Sequence, residues 1–305
     1  MISSTPLDTT YERESPMLIV TGATGRLGAL IVDRLLERVP AERIGVSVRD
    51  VDKAAGLAAR GVRVRAGDFT EPGGLKHAFE GAERVLVVSA SIRGDGAVAA
   101  NTAAIDAARE AGAGRILYTS HQASSATSRF LPQPVHAATE AHLQRQGVPY
   151  TALRNGFYAA ALEHYIGAAL ETGTLAVPQD GPFSWTAHED LAEAAAAALT
   201  DDGHGTLDGI TPPLTAPQAL DFADVAGILG RLTGRTLTHV TMDDEEWLSA
   251  AVANGMPRPA AEFLLTMFTA AREGEFDVTD PTLESVIGHP ARTVQQVLKA
   301  ALRSR

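Results

Sequence analysis

The run Thr21-Gly22-Ala23-Thr24-Gly25-Arg26-Leu27-Gly28 constrains this chain more than any other feature. It follows the apolar stretch Met17-Leu18-Ile19-Val20. It opens a segment in which Leu27, Leu30, Ile31, Leu35 and Val39 recur at helical spacing before Pro40 stops the pattern. A strand that is apolar without alternation is one covered on both faces of a parallel sheet. Glycines in the turn after it let the backbone bend tightly and approach a pyrophosphate, to which the helix N-terminus offers free N–H groups. The plain alternative is a tight turn with no ligand. Context favours the ligand, because this is the first turn of a long strand–helix series.

The series continues with strands over residues 44–48, 62–66, 85–88, 116–118 and 150–153. Helices are expected between them over 51–60, 72–80, 97–111 and 134–146. Such alternation implies right-handed crossovers and an α/β Rossmann fold, with a doubly wound parallel sheet in the order 3-2-1-4-5-6. After Arg154 the rhythm changes to helices over 159–172 and 189–200, with turns at Pro178, Asp180-Gly181 and Pro182. The expected organisation is a flexible leader (1–16), an NADP-binding Rossmann domain (17–154) and a smaller, mainly helical substrate-binding region (155–305). That boundary is soft, and segments are free to cross it.

Composition narrows the functions. A net charge of −11 repels phosphate backbones, which argues against direct nucleic-acid binding. There is no cysteine, which excludes disulfides, thiolate nucleophiles and cysteine-based metal sites. No metal site is expected. No apolar run approaches the ~20 residues of a membrane span, and the N-terminus lacks the apolar core of a signal peptide. The expectation is a cytoplasmic monomer or homodimer without membrane attachment.

The end of the second strand bears on cofactor choice. An NAD-binding unit places Asp or Glu there to hold the ribose 2′-OH. This chain has Val48 and Arg49, and an arginine forms paired hydrogen bonds to a 2′-phosphate. Lys53 and Arg26 would add positive potential. Asp50 is the dissent, one residue further on, and the alternative for Arg49 is a solvated surface side chain. NADPH/NADP+ is favoured over NAD(H). Ser89 and Ala90, after the fourth strand, are expected to run under the cofactor.

The spacing of the three glycines is that of short-chain dehydrogenases. With Val48-Arg49, Ala66-Gly67-Asp68-Phe69, Tyr118-Thr119-Ser120, His136-Ala137-Ala138-Thr139-Glu140 and the run from Pro149 through Asn155-Gly156-Phe157-Tyr158, the chain resembles the NmrA-like atypical short-chain dehydrogenases. It is most similar to their quinone oxidoreductase type 2 and triphenylmethane reductase subgroup, whose ending Gly288-His289-Pro290 also resembles. The likeness spans nearly all of residues 17–300 and is specific up to Tyr158. It implies that Asp68 and Phe69 meet the adenine, that Arg49 serves NADPH, and that Thr119, Ser120, Gly156 and Phe157 join Gly22, Thr24, Gly25, Leu27 and Gly28 around the cofactor. The alternative for Asp68 is a turn-capping residue.

The usual catalytic pair of that class, Tyr-x-x-x-Lys, is missing. The tyrosines are Tyr11, Tyr118, Tyr150, Tyr158 and Tyr165, none followed by lysine four residues on, and the only lysines are Lys53, Lys76 and Lys299. Two readings compete. The protein reduces a small aromatic or conjugated acceptor that needs little acid catalysis, such as a quinone or a carbocationic dye. Or it is a catalytically silent NADP(H)-sensing regulator. For the first reading the candidate catalytic residues are Tyr158, Asn155 and His136. Glu140, one turn beyond His136 on the same helix face, either orients it or forms a surface pair. Gly156 would allow close approach to the ligand. Phe157 lines an aromatic pocket or packs in the core. His121, directly after the fifth strand, either faces the cleft or, the favoured reading, is an exposed loop residue; Phe130 and Leu131 are read as parts of a lid, and Phe263, Met267 and Phe268 as core.

Overall fold

The computed structural model describes residues 17–92, 94–201 and 207–303. The expected leader, residues 1–16, lies outside them. The first half contains β1 (Met17–Thr21), α1 (Arg26–Leu36), β2 (Ile44–Val48), α2 (Ala55–Ala58), β3 (Arg63–Ala66), α3 (Leu75–Ala78), β4 (Ala82–Val87), α4 (Asp95–Glu110), β5 (Arg115–His121), α5 (Pro132–Gln144) and β6 (Tyr150–Asn155). The second half contains β7 (Phe157–Tyr158), α6 (Glu163–Thr172), β8 (Thr174–Pro178), β9 (Trp185–Thr186), α7 (His188–Thr200), β10 (Gly209–Ile210), α8 (Phe222–Thr233), β11 (Thr238–Met242), α9 (Asp244–Ala253), α10 (Arg258–Arg272), α11 (Thr282–Ile287) and α12 (Val294–Arg303).

Among the described residues the main sheet runs β3-β2-β1-β4-β5-β6, all parallel, with β10 added outside β6. That is the predicted order plus one strand. The order reverses between β1 and β4, so a crevice opens at their carboxyl ends. The helices expected over 51–60 and 72–80 shrink to single turns preceded by 3-10 turns at Asp52–Ala54 and Pro72–Gly74. The physical reasons are local. Only Ala54 and Leu57 of the first segment turn inward, and the pair Gly73-Gly74 disfavours helix in the second.

One face of the sheet is covered by α4 and α5, with Ile19, Val85, Val87, Ile105, Tyr118 and Leu143 packed between. The other is covered by α1 and, less obviously, α7. Leu27, Ile31, Val32 and Leu35 of α1 share a core with Leu191, Ala192, Ala195 and Leu199 of α7. The alanines let α7 lie close along α1. The chain after residue 154 therefore contributes both α7 and β10 to the Rossmann body.

A second core fills the space between β7, α6, α8 and α10, built on Phe157, Phe183, Trp185, Phe222, Phe268 and Phe276. Phe183 stacks on Trp185 at 4.4 Å and on Phe276 at 5.2 Å. Each fully buried ring of this kind contributes about 2–3 kcal/mol. Met267 and Phe268 are core, as expected, while Phe263 is half-buried against Phe130 at 5.6 Å. The N-terminus of α8 is fixed by a capping box between Asp221 and Asp224.

Candidate active site

Gly22 has φ of +63°, a conformation that L side chains rarely adopt. Gly28 sits in the first turn of α1, where a Cβ would stand 2.3 Å from the Gly22 carbonyl oxygen. The loop therefore closes only with glycine at 28. The Gly25 N–H donates to Gly22 O (2.9 Å), and the Gly22 N–H donates to the Ser47 carbonyl (3.2 Å), which ties the loop to β2. Gly25 caps α1 with no side chain, and the first turn holds no acidic residue. Its N–H groups stay open at the positive end of the helix dipole, which makes an anion site.

This loop forms one wall of a cavity of about 620 Å³ at the carboxyl ends of β1, β2 and β4. The lining brings together Gly22, Thr24, Gly25, Arg26, Leu27 and Gly28 with Arg49, Lys53, Asp68, Phe69, Ser89, Ala90 and Tyr158. Arg49 is exposed at the end of β2 and makes no hydrogen bond or ion pair among the described residues. It faces Asp68, whose Oδ1 accepts the N–H and O–H of Thr70, both at 2.8 Å. Those bonds, with Arg49 a smaller influence, hold the Asp68 carboxyl below its usual range. Asp68 is thus a turn cap and a cavity residue at once.

The carboxylate of Asp50 is taken up by the Asp52 N–H (3.1 Å) and by Lys53 Nζ (3.4 Å), and it does not line the cavity. Its competing claim on the ribose lapses. Arg26 lines the cavity as expected, and its guanidinium also reaches Glu163 of α6 at 2.7 Å, which straps α6 to the glycine loop. Both partners are well exposed, so the strap itself contributes only about 0–1 kcal/mol.

The lining also holds residues that were not picked out from sequence, Ser47 and His188 among them. Among the described residues, Ser47 Oγ and His188 Nδ1 are buried in the cavity wall without a hydrogen-bond partner. A buried polar atom left unsatisfied costs about 1–3 kcal/mol, which a polar ligand group would offset. The His188 ring lies on Tyr158, 4.3 Å between centroids. Burial, then Arg26, pushes the His188 pKa down to about 4. Ser47 gives a faint signal in sequence, as a hydroxyl inside an apolar strand. His188 gives none beyond its place at the start of an alanine-rich helix.

Beyond the cavity lies a buried polar cluster, and here several expectations change. The Ser89 N–H donates to Thr119 Oγ1 at 2.8 Å, so Thr119 supports the cofactor loop from behind. Ser120 donates to Glu140 at 2.6 Å and is absent from the cavity lining, because its hydroxyl is used there. Glu140 does not orient His136. It forms a paired contact with Arg154 of β6, at 2.9 and 2.7 Å. The partner of His136 Nδ1 is instead the Tyr118 hydroxyl, at 2.8 Å.

His121 is not an exposed loop residue. Its ring stacks on His136 at 6.1 Å and meets the edges or faces of Phe130, Phe157 and Phe276. Burial, then His136, holds its pKa well below the ordinary value. Phe157 is core, 7% exposed, and does not reach the cavity. At Gly156 a Cβ would lie 2.1 Å from Thr186 Oγ1 and 2.9 Å from the Leu214 carbonyl, so the close approach is of the protein to itself. Asn155 is buried with its Oδ1 unpartnered among the described residues, and burial pushes up the pKa of the Tyr158 phenol. Of the expected lid, Phe130 is buried and Leu131 is exposed, and the Arg129 N–H is held by Glu275 at 2.8 Å. Among the described residues no group of three His, Asp or Glu side chains could hold a metal, and no helix is long and apolar enough to cross a membrane.

The open helix N-terminus, the orphaned Ser47 hydroxyl and the unpaired Arg49 suit a dinucleotide phosphorylated on its adenosine ribose. Comparison with known proteins points the same way. The sequence pattern of the NmrA-like family matches residues 14–297. Quinone oxidoreductase 2 of Escherichia coli is 32% identical over 284 residues, covering 92% of this chain and 96% of that protein. An NAD(P)H azoreductase of Xenophilus azovorans is 32% identical over 286 residues, covering 93% and 97%. The NADPH complex of the Escherichia coli quinone oxidoreductase superposes with a TM-score of 0.88 at 31% identity, covering 94% of this chain and 100% of that one. Triphenylmethane reductase of Citrobacter sp. also gives a TM-score of 0.88, at 33% identity over 94% of this chain and 99% of that one.

Proposed function

The chain belongs to the NmrA-like family, and on that premise we propose that it is an NADPH-dependent oxidoreductase passing hydride to a quinone-like or other conjugated electrophilic acceptor. The observation that carries the proposal is a single cavity with the glycine cradle and unpaired Arg49 in its walls and Tyr158 among its lining residues. NADPH bound there supplies a hydride from its nicotinamide.

The chain's own residues do the rest. The α1 N-terminus and Gly28 hold the pyrophosphate, and Arg49 holds the 2′-phosphate. Ser47 and His188 offer polar atoms that have no other partner among the described residues. Ser89 and Ala90 form the wall under the cofactor, fixed by Thr119 and Asn101. Tyr158 lines the cavity and meets the acceptor, whereas Asn155 and His136, expected beside it, are not among the lining residues. No Tyr-x-x-x-Lys pair is present to deliver a proton, which suits acceptors whose reduced form is acidic or needs no proton.

The test follows NADPH consumption against a panel of quinones, enones and cationic dyes. Turnover with members of that class, and preference for NADPH over NADH, is expected. Tight NADP(H) binding by calorimetry with turnover on none would reject the enzyme and leave the nucleotide-sensing regulator.

A further inference from the structure

This inference rests on the NADPH reading above and concerns the half of the dinucleotide that lies beyond its pyrophosphate. His188 is the first residue of α7 and lines the cavity. It is 7% exposed, and its ring makes no hydrogen bond among the described residues. A polar ring buried in this way is unfavourable unless a ligand supplies the missing partner.

The order of the cavity walls shows which part of the ligand that is. Along the sheet, Asp68 and Phe69 follow β3, Arg49 follows β2, the glycine loop follows β1, and Ser89 and Ala90 follow β4. Tyr158 lies further in the same direction, in β7 just after β6, and the His188 ring rests on it with 4.3 Å between centroids. With the 2′-phosphate at Arg49 and the pyrophosphate at the glycine loop, the rest of the dinucleotide runs towards Tyr158 and His188. The helix packing sets how far along His188 stands. α7 lies along α1, and their first residues, His188 and Arg26, both line the cavity. His188 is therefore beside the loop that takes the pyrophosphate, and the next polar group of the ligand is the second ribose.

Charge argues against a phosphate at His188 itself. The first turn of α7 carries Glu189 and Asp190, the carboxylates of Glu189 and Glu163 both act on the ring, and Arg26 is already bound to Glu163 at 2.7 Å. Carboxylates so placed disfavour another anion. Burial, then Arg26, keeps the ring neutral, with its pKa pushed down to about 4. A neutral imidazole has one donor and one acceptor, and a hydroxyl is both, so the two match in either tautomer.

We infer that His188 binds a hydroxyl of the nicotinamide ribose, and that it thereby holds the nicotinamide at the Tyr158 end of the cavity. Fixing the sugar fixes the direction in which the reactive carbon is presented.

The test is calorimetric titration of the whole protein with three ligands. NADPH carries both halves. 2′-Phospho-ADP-ribose keeps the second ribose and lacks the nicotinamide. Adenosine 2′,5′-bisphosphate ends before the second ribose. His188→Leu is expected to raise the Kd of the first two alike, on the order of tenfold, and to leave the third unchanged, which also shows that the variant is folded. His188→Asn and His188→Gln place an amide where Nδ1 and Nε2 stand, and one of them is expected to recover part of the loss. A loss confined to NADPH would move the contact to the nicotinamide and overturn the inference. Equal losses for all three ligands, no loss for any, or no recovery by either amide would also overturn it. These results are independent of turnover on any acceptor. A wild type that binds none of the three ligands would instead refute the NADPH reading, and this inference with it.

Discussion

Replacing Arg49 with alanine should change which nicotinamide dinucleotide this protein holds. Arg49 stands at the end of β2, lines the cavity and is unpaired among the described residues, so its loss leaves no buried partner stranded. A charge-assisted arginine–phosphate contact contributes about 1.5–3 kcal/mol. Because Arg49 is exposed, solvent screening favours the lower half of that range. About 2 kcal/mol corresponds to a rise in the NADPH Kd of roughly 30-fold. NADH presents only a ribose hydroxyl at that point and should lose less than about threefold. Lys53 is a poor substitute, since it is already paired with Asp50 at 3.4 Å. Calorimetric titration of both dinucleotides into wild type and Arg49→Ala reads the effect. The NADPH loss should shrink as salt is raised, because the contact is screened. Equal losses for the two dinucleotides, at any salt, would refute the reasoning.

Three other outcomes follow from the structure. Gly28→Ala drives a methyl to 2.3 Å from the Gly22 carbonyl; NADPH binding should weaken more than about tenfold, and calorimetry returning the wild-type Kd would contradict the cradle. Glu140→Ala strands half-buried Arg154 and removes the acceptor of Ser120, so urea unfolding should report a loss of about 3 kcal/mol, whereas a loss within error of zero would mean the pair is idle. His136 and His188 are both depressed from 6.5 to about 4 by burial, so they contribute stability that is present above pH 6.5 and lost as pH falls towards 4. The slope over that window is up to about 1.4 kcal/mol per pH unit for each ring; His188→Gln should make the decline shallower, and a superimposable pH profile would count against the assignment.

β1 and the end of β4 are legible because they are uninterrupted apolar runs, the other strands because short β-like stretches alternate with helical ones, and the glycine loop because its spacing and context admit few other structures. Arg49 could be placed because β2 ends in the same turn that carries it. What sequence could not yield was long-range pairing. His136 and Glu140 lie one turn apart on α5, which suggests a pair, yet Arg154 arrives from β6 and takes the carboxylate in a bidentate contact. His121 is flanked by a serine-rich stretch that reads as exposed, but Phe157 and Phe276, both distant in the chain, close around it. Gly156 and Ser120 sit at the carboxyl ends of strands, where ligands are expected, and are used by the protein itself. The return of α7 to cover α1 is invisible for the same reason, since an alanine-rich helix fits many partners.

The most direct test of hydride transfer uses NADPH carrying deuterium at both positions of nicotinamide C4. The protein is mixed with this cofactor and a conjugated cationic dye or an enone, and the product is weighed by mass spectrometry. One deuterium on the carbon that was electrophilic is the predicted result. Unchanged acceptor in the presence of bound cofactor, or a reduced product without deuterium, would contradict the account.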